Sequence, residues 1–418
     1  MKQLALLLIG ILFFQTSFSQ NEKRIDWNAD LEYLSKELAE KHYNLFTVQS
    51  KDDFLAEINA IKLERNRLTD FQIAIKIQQL IAKLGDSHTG LSINPLRDKN
   101  KILPIHLFWS SDGLYILHTT PENKEILSCQ LLSINKVPIA SIIDSLSTMV
   151  TADNQAMVKS HIPQIIPSLQ ILEYFGFSDT QQVELELKTN THQNMIYILK
   201  PSEMNRNNRV SFKPDSIAFS VKNENAFFTD SYYSDEKIYY MLYNRCWSKE
   251  LELKYGKKED AKQMPSFKKF DKKAFNTLKN KPIDKIIFDL RHNGGGNALQ
   301  GTAFIEKLSK FLEKNPTIKT YVVLGRSTFS SAILNAMDFK RLTNAIFVGE
   351  ETAGKPNHFG EVKSFQLPNS KLYVSYSTKY FKSTDENVST ITPDVIVEMS
   401  FSDLLKGIDP VYEWIKKQ

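Results

Sequence analysis

Two short stretches of the sequence concentrate the residue types that acyl transfer needs. In the first, Ile286-Ile287-Phe288 runs through Asp289-Leu290-Arg291 into Gly294-Gly295-Gly296. In the second, Ser327-Thr328-Phe329-Ser330-Ser331-Ala332 follows one expected helix and one expected strand later. Glycines after a buried strand let the backbone turn with positive φ and let its N–H groups converge on one point, which makes an anion pocket without side chains. Ser330 falls where a β run, Thr320 to Leu324, gives way to an amphipathic helix beginning at Ser331, with Ile333, Leu334, Met337 and Phe339 along it. A serine so placed has its alkoxide favoured by the helix dipole, and the amide of Ser331 can donate to the same oxyanion. Taken singly, Ser330 also reads as a helix N-cap and the glycines as a tight turn. Their pairing points to a nucleophile beside an oxyanion hole.

A nucleophile needs a proton acceptor on a rigid mount. Thr69 with Gln72 forms a capping-box pattern, and Ile73, Ile77, Leu80, Ile81 and Leu84 follow at helical spacing until Gly85 stops the helix. The loop Asp86-Ser87-His88-Thr89-Gly90 comes next. His88 therefore sits just beyond a helix that the core fixes, a sound mounting for a general base, although loop histidines also serve as ordinary polar residues.

The residues FDLRHNGGGN, STFSSA and GEETAGK, with the weaker matches LGDSHTG and ENVSTITPDV, resemble the tail-specific, or C-terminal-processing, serine protease family, which includes the tricorn proteases and interphotoreceptor retinol-binding protein. The resemblance spans most of the chain after its leader and implies a crotonase/ClpP-like catalytic core. It offers two bases for Ser330. One is Lys355, in the Thr-x-Gly-Lys context of Thr352-Ala353-Gly354-Lys355, which would need burial to lower its pKa. The other is His88 with Ser87, matching the Ser-His pair of tricorn-type members, where Glu386 takes the place of the glutamate that completes the set. His88 is favoured: the tail-specific branch usually lacks a histidine in this loop, and its glutamine four positions after the lysine is Phe359 here. His358 is a lesser candidate for substrate contact.

Length and composition fit this picture. The 418 residues suffice for two or three domains, and 42% apolar with 24% charged content is ordinary for a globular chain. A formal net charge of +5 and the alternation of lysines with Glu250, Glu252, Glu259 and Asp260 argue for a mixed-charge surface and against a nucleic-acid partner. Lys2, the apolar run Leu4 to Phe14 and the small Ser17 and Ser19 read as a secretory signal peptide cut after Ser19. That run is too short to span a bilayer, and no later stretch suits a stable membrane insertion. An exported protein, periplasmic or extracellular, is expected. Cys129 and Cys246 could form one disulfide in such a compartment.

The elements that must position the site divide the chain into four. After residues 1–19 comes a helical N-terminal region, 20–100, with helices expected at Asp30 to Phe46 and Phe54 to Leu63 besides the one that Thr69 opens. Residues 101–201 alternate like a β-rich module, in which Leu131 to Ile139 resembles the strand-turn segment of a peptide-capturing PDZ domain. Two features are unlike a PDZ domain: Lys136 where a turn glycine is usual, and a helical insert from Ser141 to Phe177. Residues 202–418 alternate strands and helices as an α/β core with crossovers. Strands are expected at Ile238 to Leu242, Ile286 to Leu290, Tyr321 to Leu324, Ala345 to Val348 and Leu372 to Tyr376, and helices at Phe270 to Leu278, Ala298 to Leu312 and Ser331 to Leu342.

Other chemistries fare worse. Gly349 to Lys355 imitates a phosphate-binding loop, but Pro356 stands where a magnesium-binding Ser or Thr is required. No zinc-binding spacing of His or Cys occurs, and no metal or organic cofactor is implied. The expectation is a serine endopeptidase acting on proteins or peptides through Ser330, with His88 or Lys355 as base, Ser87 and Glu386 in support, and the amides of Gly294 or Gly295 and Ser331 as oxyanion hole. The alternative is a non-catalytic relative that captures peptides or apolar ligands.

Overall fold

The computed structural model describes residues 25–179 and 181–418. The expected signal peptide lies outside the described residues, among which no helix is long and apolar enough to cross a membrane. Three helices, α1 (Trp27–Lys41), α2 (Lys51–Glu64) and α3 (Asp70–Ala82), come first, and the capping box of Thr69 and Gln72 starts α3 as the sequence pattern predicts. They bury one shared stripe that includes Leu31, Leu34, Phe54, Ile58, Ile77 and Leu80. The short strand β1 (Gly90–Leu91) follows the loop that carries His88.

The middle of the chain is the β-rich module. Its strands are β2 (His106–Ser110), β3 (Gly113–Thr119), β4 (Gln130–Ile134), β5 (Val137–Pro138), β6 (Val183–Lys188), β7 (Asn194–Leu199) and β8 (Val210–Ser211). The expected helical insert is real and consists of α4 (Ile139–Ser147), α5 (Gln155–Ile165) and α6 (Leu169–Tyr174). Strand β2 lies at the sheet edge, beside β3. The β4–β5 turn uses Asn135 and Lys136, both with positive φ (50° and 66°), so the lysine adopts the backbone a glycine would take. That strain is offset locally, because the Asn135 side chain accepts from the Glu184 amide at 2.8 Å and donates to the Phe177 carbonyl at 2.7 Å.

The third unit is the α/β core. Strands β9 (Phe228–Tyr233), β10 (Ile238–Tyr243), β11 (Lys285–Asp289), β12 (Lys319–Leu324) and β13 (Ile346–Gly349) form its sheet. Then a hairpin, β14 (His358–Gln366) and β15 (Tyr373–Phe381), leaves the sheet before β16 (Val395–Ile396) completes its far edge. From β10 to β16 the pairing is parallel, and only β9 runs antiparallel. Every residue of β10 is buried, as expected of a parallel strand covered on both faces. Helices Phe267–Asn280, Leu299–Glu313 and Ser331–Leu342 make the crossovers. In such sheets, sites gather where the strands' carboxyl ends meet the crossover turns.

The hairpin joins the two ends of the chain. Strand β15 pairs antiparallel with β1, and Phe365, Leu367, Leu372 and Val374 bury against the N-terminal helices. Buried Asp30 on α1 accepts the backbone N–H groups of Asn369 and Ser370, both at 2.8 Å, and so holds the hairpin's tip. The cysteines do not pair. Cys129 and Cys246 are both free and buried, one in the module's core and one in the α/β core, so they serve as small apolar side chains.

Candidate active site

The DLR of the glycine motif proves to be the anchor of the loop that follows it. Arg291 Nε meets Asp289 Oδ2 at 2.8 Å, its Nη1 meets Asp409 Oδ1 at 3.0 Å, and its Nη2 donates to the Tyr240 hydroxyl at 3.1 Å. Burial opposes the guanidinium's charge, but the carboxylates of Asp289 and Asp409 prevail and hold its pKa well above the usual value. The end of β11 is therefore fixed, and the chain leaves it through Asn293 into the glycines. Asn293 Nδ2 donates to the Tyr243 carbonyl (2.6 Å), and its Oδ1 accepts the Gly295 N–H (2.9 Å). This Asx-type turn removes Gly295's amide from the expected oxyanion hole, because the donor is already spent. What Gly295 supplies instead is space: a Cβ on it would stand 2.7 Å from Ser330 Cβ, and its own φ is +103°. Gly294 is exposed and faces open space, and its N–H and that of Ser331 have no partner among the described residues.

Ser330 stands on a turn that other groups over-determine. Thr328 Oγ1 donates to the Leu290 carbonyl at 2.9 Å, the Phe329 amide donates to the Asn293 carbonyl at 3.0 Å, and Ser331 Oγ donates to the Gly296 carbonyl at 2.8 Å. These bonds stitch the second motif to the first. They also hold Ser330 at φ 53°, a conformation that costs an L-residue about 1–3 kcal/mol. Ser330 occupies the N-cap position of helix Ser331–Leu342, yet its side chain caps nothing and its hydroxyl makes no hydrogen bond among the described residues. The simple capping explanation therefore fails, and the hydroxyl is left partly exposed at the helix's positive end.

His88 reaches this turn through Phe329. The imidazole stacks on the Phe329 ring, with centroids 4.3 Å apart, and lies 5.6 Å from the ring of His358 on a nearly parallel plane. Its side chain is only 7% exposed, and neither ring nitrogen has a hydrogen-bond partner. Burial pushes its pKa down to about 4; Asp86 opposes this and His358 adds to it. The imidazole is thus neutral near pH 7, the state a general base requires. Asp86, unremarked in the sequence, is buried beside it. Burial acts to raise the Asp86 pKa, but the hydrogen bonds of His42, Thr89 and Ser377 and of the His88 amide outweigh it and hold the carboxyl well below the ordinary range. An Asp whose side chain accepts the amide two residues on is a turn pattern that the sequence DSH does carry. His42, 44 positions before Asp86, left no such signal.

The other expected residues fall in two places. Lys355 Nζ lies 3.0 Å from Asp153 Oδ1, off the line of a hydrogen bond, and Asp153 Oδ2 accepts from Ser87 Oγ at 2.6 Å. Ser87 and Lys355 therefore share one buried carboxylate that comes from the β-rich module. Next to it, Asn154 Nδ2 donates to the carbonyls of Thr352 (2.9 Å), Ala353 (3.1 Å) and Ser389 (2.7 Å), clasping the loop that carries Lys355. The structure does not bring Glu386 to this cluster. Its carboxylate is exposed and makes no bond among the described residues; its backbone alone is held, the carbonyl by Asn357 Nδ2 at 3.1 Å and the amide by Thr384 Oγ1 at 3.2 Å. Among the described residues no three His, Cys, Asp or Glu side chains converge as metal ligands would.

Residues 262–397 match the model of Peptidase family S41. That segment holds the glycine loop, Ser330, Lys355 and Glu386, and the match bears out the resemblance to the tail-specific serine proteases. No curated protein matches the sequence. Among solved structures, mature CPAF complexed with lactacystin is similar over 94% of this chain and 97% of that one, with 13% identity and a TM-score of 0.62. Mature CPAF gives 94% and 96% coverage, 13% identity and a TM-score of 0.61. A putative peptidase from Parabacteroides merdae ATCC 43184 covers 93% of this chain and 95% of its own at 16% identity, with a TM-score of 0.47. At these identities the two CPAF structures establish a common fold over almost the whole chain.

Proposed function

We propose that the protein is an exported serine endopeptidase that cleaves proteins or peptides through an acyl-enzyme. One observation carries this reading: an uncapped serine hydroxyl on a strained turn, packed against a glycine loop, whose neighbour Phe329 is stacked on a buried imidazole with unpartnered nitrogens. In the reaction, Ser330 Oγ attacks the scissile carbonyl carbon while His88 takes its proton. The carbonyl electron pair moves onto oxygen, where the N–H groups of Gly294 and Ser331 receive it. The tetrahedral adduct collapses as the C–N bond breaks and His88 returns the proton to the departing amine. Water, deprotonated by the same imidazole, then releases the acyl group.

Peptide substrates suit the surroundings. A cavity of about 420 Å³ lies where edge strand β2 (Leu107, Trp109) and helix α5 (Pro163, Gln164) meet the loop of Arg326 and Ser327, three residues short of the nucleophile. A strand at a sheet edge bordering a cleft is what an extended chain binds. The decisive experiment pairs a serine-directed fluorophosphonate probe with a peptide-turnover assay. Wild-type protein should label at Ser330, and Ser330→Ala should lose both labelling and turnover, the latter by roughly 10⁵-fold or more. Turnover undiminished in Ser330→Ala would end this reading and leave the peptide-capturing alternative.

A further inference from the structure

We propose that Asp86, braced by His42 and Thr89, is the carboxylate that orients His88 during turnover, the part the sequence resemblance gives to Glu386. The inference rests on the Ser330–His88 reading above and deepens it. A buried imidazole with both nitrogens unpaired is costly, and such an orphan calls for a working state in which the bonds are made. The neighbours of the ring decide what can make them. Phe329, stacked on it, offers no acceptor, and His358, whose Nδ1 donates to the Lys355 carbonyl at 3.0 Å, lies nearly parallel at 5.6 Å between centroids and makes no hydrogen bond to it. The Ser87 hydroxyl is turned to Asp153, which is in turn occupied by the Lys355 ammonium. Among the described residues, Asp86 is the only carboxylate within ion-pair reach of the imidazole: its Oδ1 lies 3.9 Å from His88 Nδ1.

Asp86 is also prepared for the task. Its Oδ2 accepts from His42 Nε2 at 2.9 Å and from Thr89 Oγ1 at 2.5 Å, its Oδ1 accepts the His88 backbone N–H at 3.0 Å, and the Ser377 hydroxyl on β15 also bears on the carboxylate. His42 is itself locked. Its Nδ1 accepts the Asn44 amide at 3.1 Å, which places the proton on Nε2, and its ring packs edge-on against Phe359 at 5.2 Å. A rotation of His88 against the Phe329 ring, closing the gap by about 1 Å to ordinary hydrogen-bond length, puts Nδ1–H on Asp86 and leaves Nε2 to receive the serine proton. The imidazolium formed then sits beside a fixed negative charge that needs no reorganisation.

The test compares peptide turnover, pH profile and thermal unfolding in Ser330→Ala, His88→Ala, Asp86→Asn, His42→Phe and His42→Gln. The expected result is a kcat loss of at least about a hundredfold in Asp86→Asn, with KM within about threefold of wild type and the acid limb of kcat/KM moved to lower pH. His42→Phe, which removes the donor but keeps a ring against Phe359, should lose about tenfold in kcat, and His42→Gln, whose amide can donate, should recover most of it. If Asp86→Asn does not fold, the two His42 variants decide. Turnover within threefold of wild type in Asp86→Asn, or in His42→Phe, overturns the role of Asp86 while Ser330→Ala and His88→Ala stay inactive. Activity retained in Ser330→Ala or His88→Ala overturns the underlying reading, and this proposal with it.

Discussion

The turn that carries Ser330 and the loop that carries His88 are built to opposite rules. Around Ser330 the turn is tied down on both sides: Thr328 and Ser331 through their hydroxyls and Phe329 through its amide are each bonded to the stretch from Leu290 to Gly296, and the strained φ persists because these bonds specify it. Around His88 the backbone is held through Asp86, but the ring is held only by flat faces, with its polar atoms unsatisfied. The contrast has a chemical logic. A nucleophile gains from being fixed in a near-attack position, whereas a base must change partners within one turnover and gains from having none too strong at rest.

Breaking the looser side should have the largest effect of the changes that spare Ser330. His88→Ala should lower kcat by on the order of a thousandfold or more, measured on a peptide substrate. The pH profile of the wild-type protein sharpens the point. Because burial holds the His88 pKa down to about 4, the base stays neutral well into acid, so kcat/KM should be flat from pH 7 to about 5 and fall through about pH 4. The linked stability runs the same way. The unfolded histidine takes a proton below about 6.5 while the folded one refuses it until about 4, so stability is full above 6.5 and declines across that window, by on the order of 3 kcal/mol. An acid limb near 6.5 in activity would show that the imidazole is solvated and that the buried slot is not the working one.

Breaking the tighter side is a matter of volume. Gly295→Ala adds a Cβ that would stand 2.7 Å from Ser330 Cβ and 3.0 Å from the Ser331 nitrogen, on a residue with φ +103°. The neighbouring atoms are backbone or Ser330 Cβ, so relief must move the turn. A displacement of that kind should cost about a hundredfold in kcat, with a lowered unfolding midpoint. Gly294→Ala is the control: its Cβ meets open space, so the fold should tolerate it.

Much of the tight side was legible in the sequence and little of the loose side was. Local signals are short-range: the strand run into the glycines, the helix beginning at Ser331 and the capping box at Thr69 all fall where pattern places them. Even the loss of Gly295's amide is local, since Asn-Gly-Gly is an Asx-turn sequence. The surroundings of His88 depend instead on segments far apart. His42 comes from the end of α1, Phe329 from the α/β core, His358 from the hairpin, and Asp153, which engages the adjoining Ser87, from the module. A buried acid and a surface acid look alike in sequence, so resemblance points to Glu386 while nothing local marks Asp86 or Asp153 as buried. The free cysteines show the same limit, because nothing local tells that Cys129 and Cys246 lie in separate cores.

Lys355 puts the comparison to its finest test, because it belongs to neither side. A lysine acts as a base only after shedding its proton, and Lys355 Nζ stands 3.0 Å from Asp153 Oδ1, on a side chain only 1% exposed, with no hydrogen bond to Ser330. Its role in the structure is to join the module to the core through Asp153, with Asn154 gripping the same loop. Lys355→Met should therefore leave kcat within about tenfold of wild type while destabilising the fold by about 2 kcal/mol, less than for a wholly buried pair because the lysine is 26% exposed. Urea unfolding and peptide turnover measured on the same preparation separate the two effects. A thousandfold fall in kcat with an unchanged urea midpoint would make Lys355 the proton acceptor, and His88 the residue held in place for some other purpose.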